Sequence, residues 1–230
     1  MSDPRPSLIS VIIPTLDEAE GISDLLTGLA PMRAAGGELI LVDGGSRDGT
    51  PDLARPQVDR LLVGARGRAA QMNLGARHAR GAILVFLHAD TQAPSAALLD
   101  LPKRLAESGR DWGRFDVRIA GRHPVLPVIA WSMNLRSRLT GIATGDQTLF
   151  VTRERFERVG GYPPIALMED IALSRRLKRS GRPLCLRERV LTSGRRWERR
   201  GVARTILLMW WLRLAYALGV PPERLARWYR

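Results

Sequence analysis

Short apolar runs alternate with helix-like segments through the first half of the chain. Four runs of strand length predict β-strands at residues 8–14, 38–43, 58–63 and 82–87. After the first run, apolar residues recur at the spacing of one helix face, at Ile22, Leu25, Leu26 and Leu29. Residues 68–80 predict a second helix. Apolar strands that alternate with helices are typical of a mostly parallel sheet covered on both faces, so we predict an α/β fold.

The pattern in the second half is less regular. It predicts strands at residues 112–119, 147–152 and 184–191, and a helix that begins near Glu169. Because neither a repeat nor a linker separates the halves, we expect them to share one sheet. Polar clusters follow several strands, and ligands of such sheets bind beyond the carboxyl ends of the strands. We therefore expect the functional site at that edge.

An apolar segment near the C-terminus, residues 206–220, is interrupted by a single charge at Arg213. It is shorter than the roughly 20 apolar residues that span a bilayer. Flanking arginines and aromatic residues suit a helix at a membrane interface, and an equal alternative is a helix packed on the domain or on a second copy of the chain. We divide the chain into a domain at 1–201 and a C-terminal helical extension at 202–230.

Composition and charge narrow the function classes. The chain has 230 residues, 45 % of them apolar, which suits one compact domain. The single cysteine, Cys185, excludes an internal disulfide framework and a cysteine-based zinc site. The net charge of +13 comes from arginine, whose planar fork suits nucleic acid, anionic lipid or a nucleotide diphosphate. The polar start of the chain does not look like a signal peptide, so we expect a cytoplasmic protein, with the inner membrane face as an alternative location.

Carboxylates recur just after the apolar strands, at Asp17, Glu18, Asp43 and Asp90. A single acid in such a place is commonly a helix cap or a turn residue, and we interpret Asp48 in this way. Acids at three successive strand ends converge on one crevice, which favours a functional site.

Six segments carry a resemblance to a known family. They are residues 10–18 (SVIIPTLDE), 42–50 (VDGGSRDGT), 67–75 (GRAAQMNLG), 86–91 (FLHADT), 160–163 (GGYP) and 168–173 (MEDIAL). In order and spacing they resemble family 2 glycosyltransferases with the GT-A fold of nucleotide-diphospho-sugar transferases. The HADT variant and residues 195–201 (RRWERRG) are similar to one bacterial subgroup, the radical-SAM/selenodomain-associated transferases.

The resemblance implies a set of donor-binding residues: Thr15, Glu18, Asp43, Arg68, Gln71, Asn73, Asp90 and Arg196. The first three would hold the nucleoside, Asp43 through the base or ribose. Asp90 ends the segment that matches the family's metal motif, so it would bind Mn²⁺ or Mg²⁺. His88 stands where the family usually has an acid, and imidazole is a poor ligand for Mg²⁺. We interpret His88 as a substrate contact or a residue behind the metal ligand, with a structural histidine as the alternative.

The resemblance also implies the acceptor side. Asp170 matches the family's general base, and Glu169, Asp146 and Trp197 would contact the acceptor. Processive members carry a glutamine where Ser193 stands, so processive synthesis is not predicted.

The implied function is inverting, metal-assisted transfer of a sugar, most simply from a UDP-sugar, to an unidentified acceptor hydroxyl. A lipid-phosphate acceptor at an anionic membrane surface is one alternative, and homo-oligomerisation is left open. A nucleic-acid-binding protein is a second class, motivated by the charge and by six tryptophans, but no recognition motif appears. A nucleotidyltransferase is a third, but residues 14–18 lack the glycine-rich basic loop that it needs.

Overall fold

The computed structural model describes residues 8–229, apart from the side chains of Arg196, Arg199 and Arg200. Within this range, eight strands form one sheet: β1 (Ile9–Thr15), β2 (Glu38–Asp43), β3 (Arg60–Val63), β4 (Ile83–Phe86), β5 (Thr91–Gln92), β6 (Trp112–Ala120), β7 (Leu149–Thr152) and β8 (Leu184–Ser193). The strand order is β3-β2-β1-β4-β7-β6-β8-β5, so the expectation that both halves share one sheet is confirmed.

The described helices lie between and after these strands. They are α1 (Ala19–Ala34), α2 (Thr50–Ala54), α3 (Arg68–His78), α4 (Ser95–Leu99), α5 (Leu101–Ser108), α6 (Leu126–Thr140), α7 (Arg153–Arg158), α8 (Glu169–Lys178), α9 (Arg195–Arg200), α10 (Val202–Ala217) and α11 (Pro222–Tyr229). The predicted strand at 38–43 and the predicted helix start at Glu169 agree with the structure.

Strand direction gathers the polar clusters at one edge. β1 pairs in parallel with β2 and β4, and β2 pairs in parallel with β3. β6 and β8 are also parallel, whereas β7 runs antiparallel to both of its neighbours and β5 runs antiparallel to β8. Thr15 and Asp43, the last residues of β1 and β2, are register partners. The chain segments that leave β1, β2 and β4 therefore start side by side.

Apolar side chains fill both faces of the sheet. Alternation along β1 sends Val11 and Ile13 towards a cluster that includes residues of α1, and Ile12 towards a second cluster with residues of α3 and α8. The predicted α/β fold with helices on both faces is confirmed.

The C-terminal helices pack on the domain at the start of α8. Leu212, Ala215 and Leu225 form a third cluster with Leu167 and Ile171. One face of α10 is therefore a packing face, and the opposite face is exposed. In the described range, none of the helices has the length and apolar character that a membrane crossing requires. The division of the chain at residue 201 stays a prediction.

Candidate functional site

A cavity of about 430 Å³ lies at the carboxyl edge of β1 and β4. The starts of α3 and α8, the Thr144–Asp146 turn, the end of β8 and the inner face of α10 complete its walls. Nine residues predicted for the site line it: Thr15, Glu18, Arg68, Gln71, Asp90, Asp146, Glu169, Asp170 and Trp197. Asp43 and Asn73 lie outside the lining, and the Arg196 side chain lies outside the described residues.

The ends of β1 and β2 are fixed by buried polar groups. The Gln71 amide donates 2.8 Å hydrogen bonds to the carbonyls of Thr15 and Val42. Asp43 is buried, and its carboxylate accepts hydrogen bonds from the backbone N–H groups of Gly45 (2.8 Å) and Ser46 (2.9 Å). In this structure Asp43 therefore holds the loop after β2. Its predicted contact with the base or ribose stays a prediction.

Asn73 occupies a different side of α3 from Gln71. Its amide donates to the Tyr162 carbonyl at 2.8 Å and accepts from the Tyr162 N–H at 3.0 Å. It therefore ties α3 to the Gly160–Pro163 turn, outside the cavity in which the resemblance had placed it.

Glu18 directly precedes α1 and forms an ion pair with an arginine that is distant in the sequence. Arg195 at the start of α9 donates hydrogen bonds to the carboxylates of Glu18 (3.2 Å) and Glu20 (3.1 Å). Burial raises the pKa of the Glu18 carboxyl, the charge of Asp90 raises it further, and Arg195 opposes both effects. None of the sequence motifs predicts that Arg195 contacts Glu18.

Asp90 is an exposed carboxylate on the wall of the cavity. The backbone around it is held by a 3.0 Å hydrogen bond from the Ser193 N–H to its carbonyl and by the paired hydroxyls of Thr91 and Thr192. No group of three or more metal-ligating side chains occurs among the described residues. One carboxylate at the cavity suits a hard cation that takes its remaining ligands from substrate phosphates and water.

His88 is packed against the turn that follows α6. Its Nδ1 lies 3.8 Å from Asp146 Oδ1, and a Cβ added to Gly145 would come within 2.2 Å of its ring. The absence of a side chain at Gly145 therefore allows the His88 imidazole to lie close to Asp146.

The two acids that begin α8 are held differently. Glu169 is buried, with Arg68 Nη1 3.8 Å from its Oε1. Burial raises the pKa of Glu169, and the charge of Asp170 raises it further, while Arg68 lowers it. Asp170 is half-buried, and its two oxygens accept backbone hydrogen bonds from Gly145 (2.8 Å) and Ile171 (2.7 Å). Its carboxylate is thus fixed in orientation within the cavity.

Arg213 is a cavity residue that sequence reasoning noted only as an interruption of an apolar run. It projects from α10 into the lining together with Thr205 and Met209. A lone charge within the apolar run at residues 206–220 is the signal that could have identified it.

Comparison with known proteins agrees with this geometry. A family model described as "Glycosyl transferase family 2" matches residues 10–156. A PGL/p-HBAD biosynthesis glycosyltransferase of Mycobacterium tuberculosis (strain H37Rv) is 39 % identical over 90 residues, 36 % of this chain and 35 % of the relative. The chain thus spans about a third of the length of that curated relative.

Solved structures show the same fold. Mannosyltransferase PcManGT from Pyrobaculum calidifontis, in complex with GDP-Man and Mn²⁺, has a TM-score of 0.62 and 25 % identity, covering 82 % of this chain and 58 % of that one. S. aureus TarS in complex with UDP-GlcNAc has a TM-score of 0.65 and 20 % identity, covering 80 % and 58 %. These likenesses confirm the predicted GT-A fold. Since the family model covers well over half of the sequence, this chain belongs to glycosyltransferase family 2.

Proposed function

We propose that the protein transfers a sugar from a nucleoside diphosphate sugar to an acceptor hydroxyl with inversion at the anomeric carbon. The observation that carries the proposal is that Asp90 and Asp170 line one cavity at the strand edge. The first is exposed and suits a cation, and the second is oriented by two backbone donors. PcManGT, which shares the fold, was solved with a nucleotide sugar and Mn²⁺, and this supports the same donor class here.

At the donor side, we assign the nucleotide to the walls formed by Thr15, Glu18 and the start of α3. Arg66 and Arg68 line the cavity there, and guanidinium groups bind phosphate oxygens through charge-assisted hydrogen bonds. We assign Gln71 a positioning role, because both of its donated hydrogen bonds hold the ends of β1 and β2 in place.

Asp90 would hold a Mn²⁺ or Mg²⁺ ion together with the diphosphate of the donor. When bound, such an ion would neutralise the negative charge that develops on the departing diphosphate. His88 is assigned a positioning role, since imidazole is a poor ligand for these cations and the ring already contacts the Gly145 turn.

At the acceptor side, Asp170 accepts the proton of the attacking hydroxyl. The acceptor oxygen forms a bond to the anomeric carbon while the bond from that carbon to the diphosphate oxygen breaks. The nucleoside diphosphate departs on the opposite face, so a single displacement inverts the configuration. Backbone hydrogen bonds from Gly145 and Ile171 orient the carboxylate, which lines the cavity and is available to accept the proton.

Calorimetry with UDP and GDP, with and without Mn²⁺, tests the donor assignment. We expect wild-type protein to bind UDP in a metal-dependent way, Asp90→Ala to lose this binding, and His88→Ala only to weaken it. Asp52→Ala, at an exposed acid on α2, is the matched control and is expected to bind as wild type. Failure of the folded wild-type protein to bind at millimolar nucleotide would refute the proposal. Complete loss in His88→Ala alone would reverse the two roles.

A further inference from the structure

Two arginines lie on helices that border the cavity. Arg213 lines the cavity from α10, whereas Arg136 lies on α6 one turn after Met133, which lines the same cavity. Among the described residues, neither side chain forms an ion pair within 4 Å. The Nε and Nη2 atoms of Arg136 are buried and have no hydrogen-bond partner. Buried donors without acceptors are costly, and in folded proteins they commonly mark the place of a ligand or ion.

The two guanidinium groups influence each other. The pKa of Arg136 is lowered to about 10, first by burial and then by the charge of Arg213. Burial also lowers the pKa of Arg213. Both groups remain cationic at neutral pH, so two like charges are held near each other in a partly buried region. An anion between them would relieve both the repulsion and the unpaired donors.

The acids whose charges act on Arg213 have other partners. The carboxylates whose charges act on Arg213 are Asp170 and Asp146. Asp170 already accepts two backbone hydrogen bonds, and Asp146 lies beside His88. By contrast, the charge of Asp90 acts on Glu18 at the donor side. Arg213 and Asp170 also line the same cavity, and the charge of Asp170 acts on both arginines.

We propose that Arg136 and Arg213 form a subsite for a phosphate group of the acceptor. This inference rests on the proposed function and names the acceptor class: a phosphorylated molecule whose hydroxyl is attacked beside Asp170, or a phosphate whose own oxygen is the nucleophile. Phosphate matches the pair because its charge can balance two cations and its oxygens accept from two guanidinium forks. The same chemistry occurs in a soluble phosphate ester and in a lipid phosphate.

Calorimetry with defined probes tests the subsite. Phenyl phosphate represents a soluble ester, farnesyl phosphate in detergent micelles represents a lipid phosphate, and farnesol in the same micelles is the neutral control. Titrations are made with the full chain saturated with UDP and Mg²⁺, so that the donor diphosphate position is filled. Comparable affinity for both phosphates would indicate a soluble acceptor, and clearly tighter binding of farnesyl phosphate would indicate a lipid.

The variants are chosen on α10, where Arg213 has an exposed neighbour of the same type. Arg213→Gln is expected to weaken phosphate binding by about 10- to 100-fold, since it removes charge-assisted hydrogen bonds. Arg213→Lys, which keeps the charge and loses the fork, is expected to lie between Arg213→Gln and wild type. Arg204→Gln, at an exposed arginine outside the cavity lining, is expected to match wild type with phenyl phosphate, the probe that presents no lipid surface. Circular dichroism melting checks that each variant is folded.

Three outcomes would overturn the subsite. They are equal binding of farnesol and farnesyl phosphate, equal loss of phenyl phosphate binding in Arg204→Gln and Arg213→Gln, and binding of phenyl phosphate only when UDP is left out, which would assign the pair to the donor. A separate titration of wild type with UDP tests the proposed function. If UDP fails to bind while phenyl phosphate still binds to wild type and not to Arg213→Gln, the donor assignment is wrong and the phosphate subsite is supported.

Discussion

Asp170 is the residue on which the proposed chemistry depends. Its carboxylate is fixed by two backbone donors inside the cavity. Asp170→Asn keeps the shape and removes the base, so we expect kcat to fall by about 10²- to 10⁴-fold. The Kd for donor nucleotide should stay close to wild type, because Asp170 is assigned to neither nucleotide nor metal. Steady-state kinetics and calorimetry on the same preparation separate the two effects.

Two results would contradict this assignment. One is near-wild-type kcat in Asp170→Asn. The other is a product with retained anomeric configuration, seen by NMR, because a single in-line displacement cannot give it.

Glu169 carries a stability cost that depends on pH. Its pKa is raised in the folded protein, first by burial and then by Asp170, so the charged form is disfavoured relative to the unfolded chain. The cost is present above the raised pKa and disappears as the pH falls through it. We therefore expect Glu169→Gln to melt at a higher temperature than wild type at neutral pH, and to lose this advantage at pH values below the ordinary glutamate pKa.

The control for this effect is Glu107→Gln, at an exposed glutamate on α5, which should change melting little at either pH. If Glu169→Gln melts lower than wild type at neutral pH, the contact with Arg68 outweighs the burial of the charge.

Residue roles were partly predictable from sequence. Motif spacing brought Arg68 and Gln71 into one cavity because residues three apart share a helix face. Asn73, two residues further on, faces a different side and contacts Tyr162. Arg213 belongs to none of the motifs, and Arg136, with which we propose that it acts, lies on a different helix, α6.

At the scale of elements, the sequence predicted the strands better than the helices of the second half. Helix α6 was missed because it is apolar on two sides. Ile129 and Met133 face the core, while Trp131 and Leu139 are exposed, so the pattern lacks a clear period of 3.6 residues. Helix α10 has the same character, and its inner face completes the cavity.

Strand β6 depends on a glycine where it passes β8. A Cβ at Gly113 would lie 2.2 Å from the Leu184 carbonyl oxygen and 2.5 Å from Phe150 Cζ. Because the oxygen is backbone, relief requires the strands to separate, and we expect Gly113→Ala to lower the free energy of unfolding by about 1–3 kcal/mol or more. Urea denaturation measures this change.

Gly28 in α1 provides the opposite case. A Cβ there meets nothing within 4 Å, so Gly28→Ala should raise the free energy of unfolding by about 0.5–1 kcal/mol. Equal effects of the two substitutions would show that the close approach of β6 and β8 is not what requires Gly113.

At the scale of the whole molecule, charge and apolar surface coincide near the C-terminus. The outer face of α10 and the residue that follows the helix expose several large apolar side chains: Leu207, Trp210, Trp211, Leu214 and Leu218. Exposed arginines at 204, 224 and 227 lie on the same two C-terminal helices, and the chain as a whole carries +13. A contiguous exposed apolar face is typical of an interaction site, and basic groups around it favour an anionic membrane surface.

We therefore expect the protein to float with vesicles that contain anionic lipid at low ionic strength, and to be released in part by salt that screens the arginines. Trp210 is 70 % exposed, so its side chain is available to the lipid and contributes little to packing. Trp210→Ser should weaken vesicle binding by roughly tenfold or more, since burial of a large apolar side chain stabilises by about 1.5–3 kcal/mol. Val63→Ser, at a 71 % exposed residue of β3, is the control and should float as wild type.

If wild-type protein stays at the bottom of the gradient at low salt, the outer face of α10 is a protein-packing surface. Sedimentation would then be expected to show a dimer that Trp210→Ser dissociates.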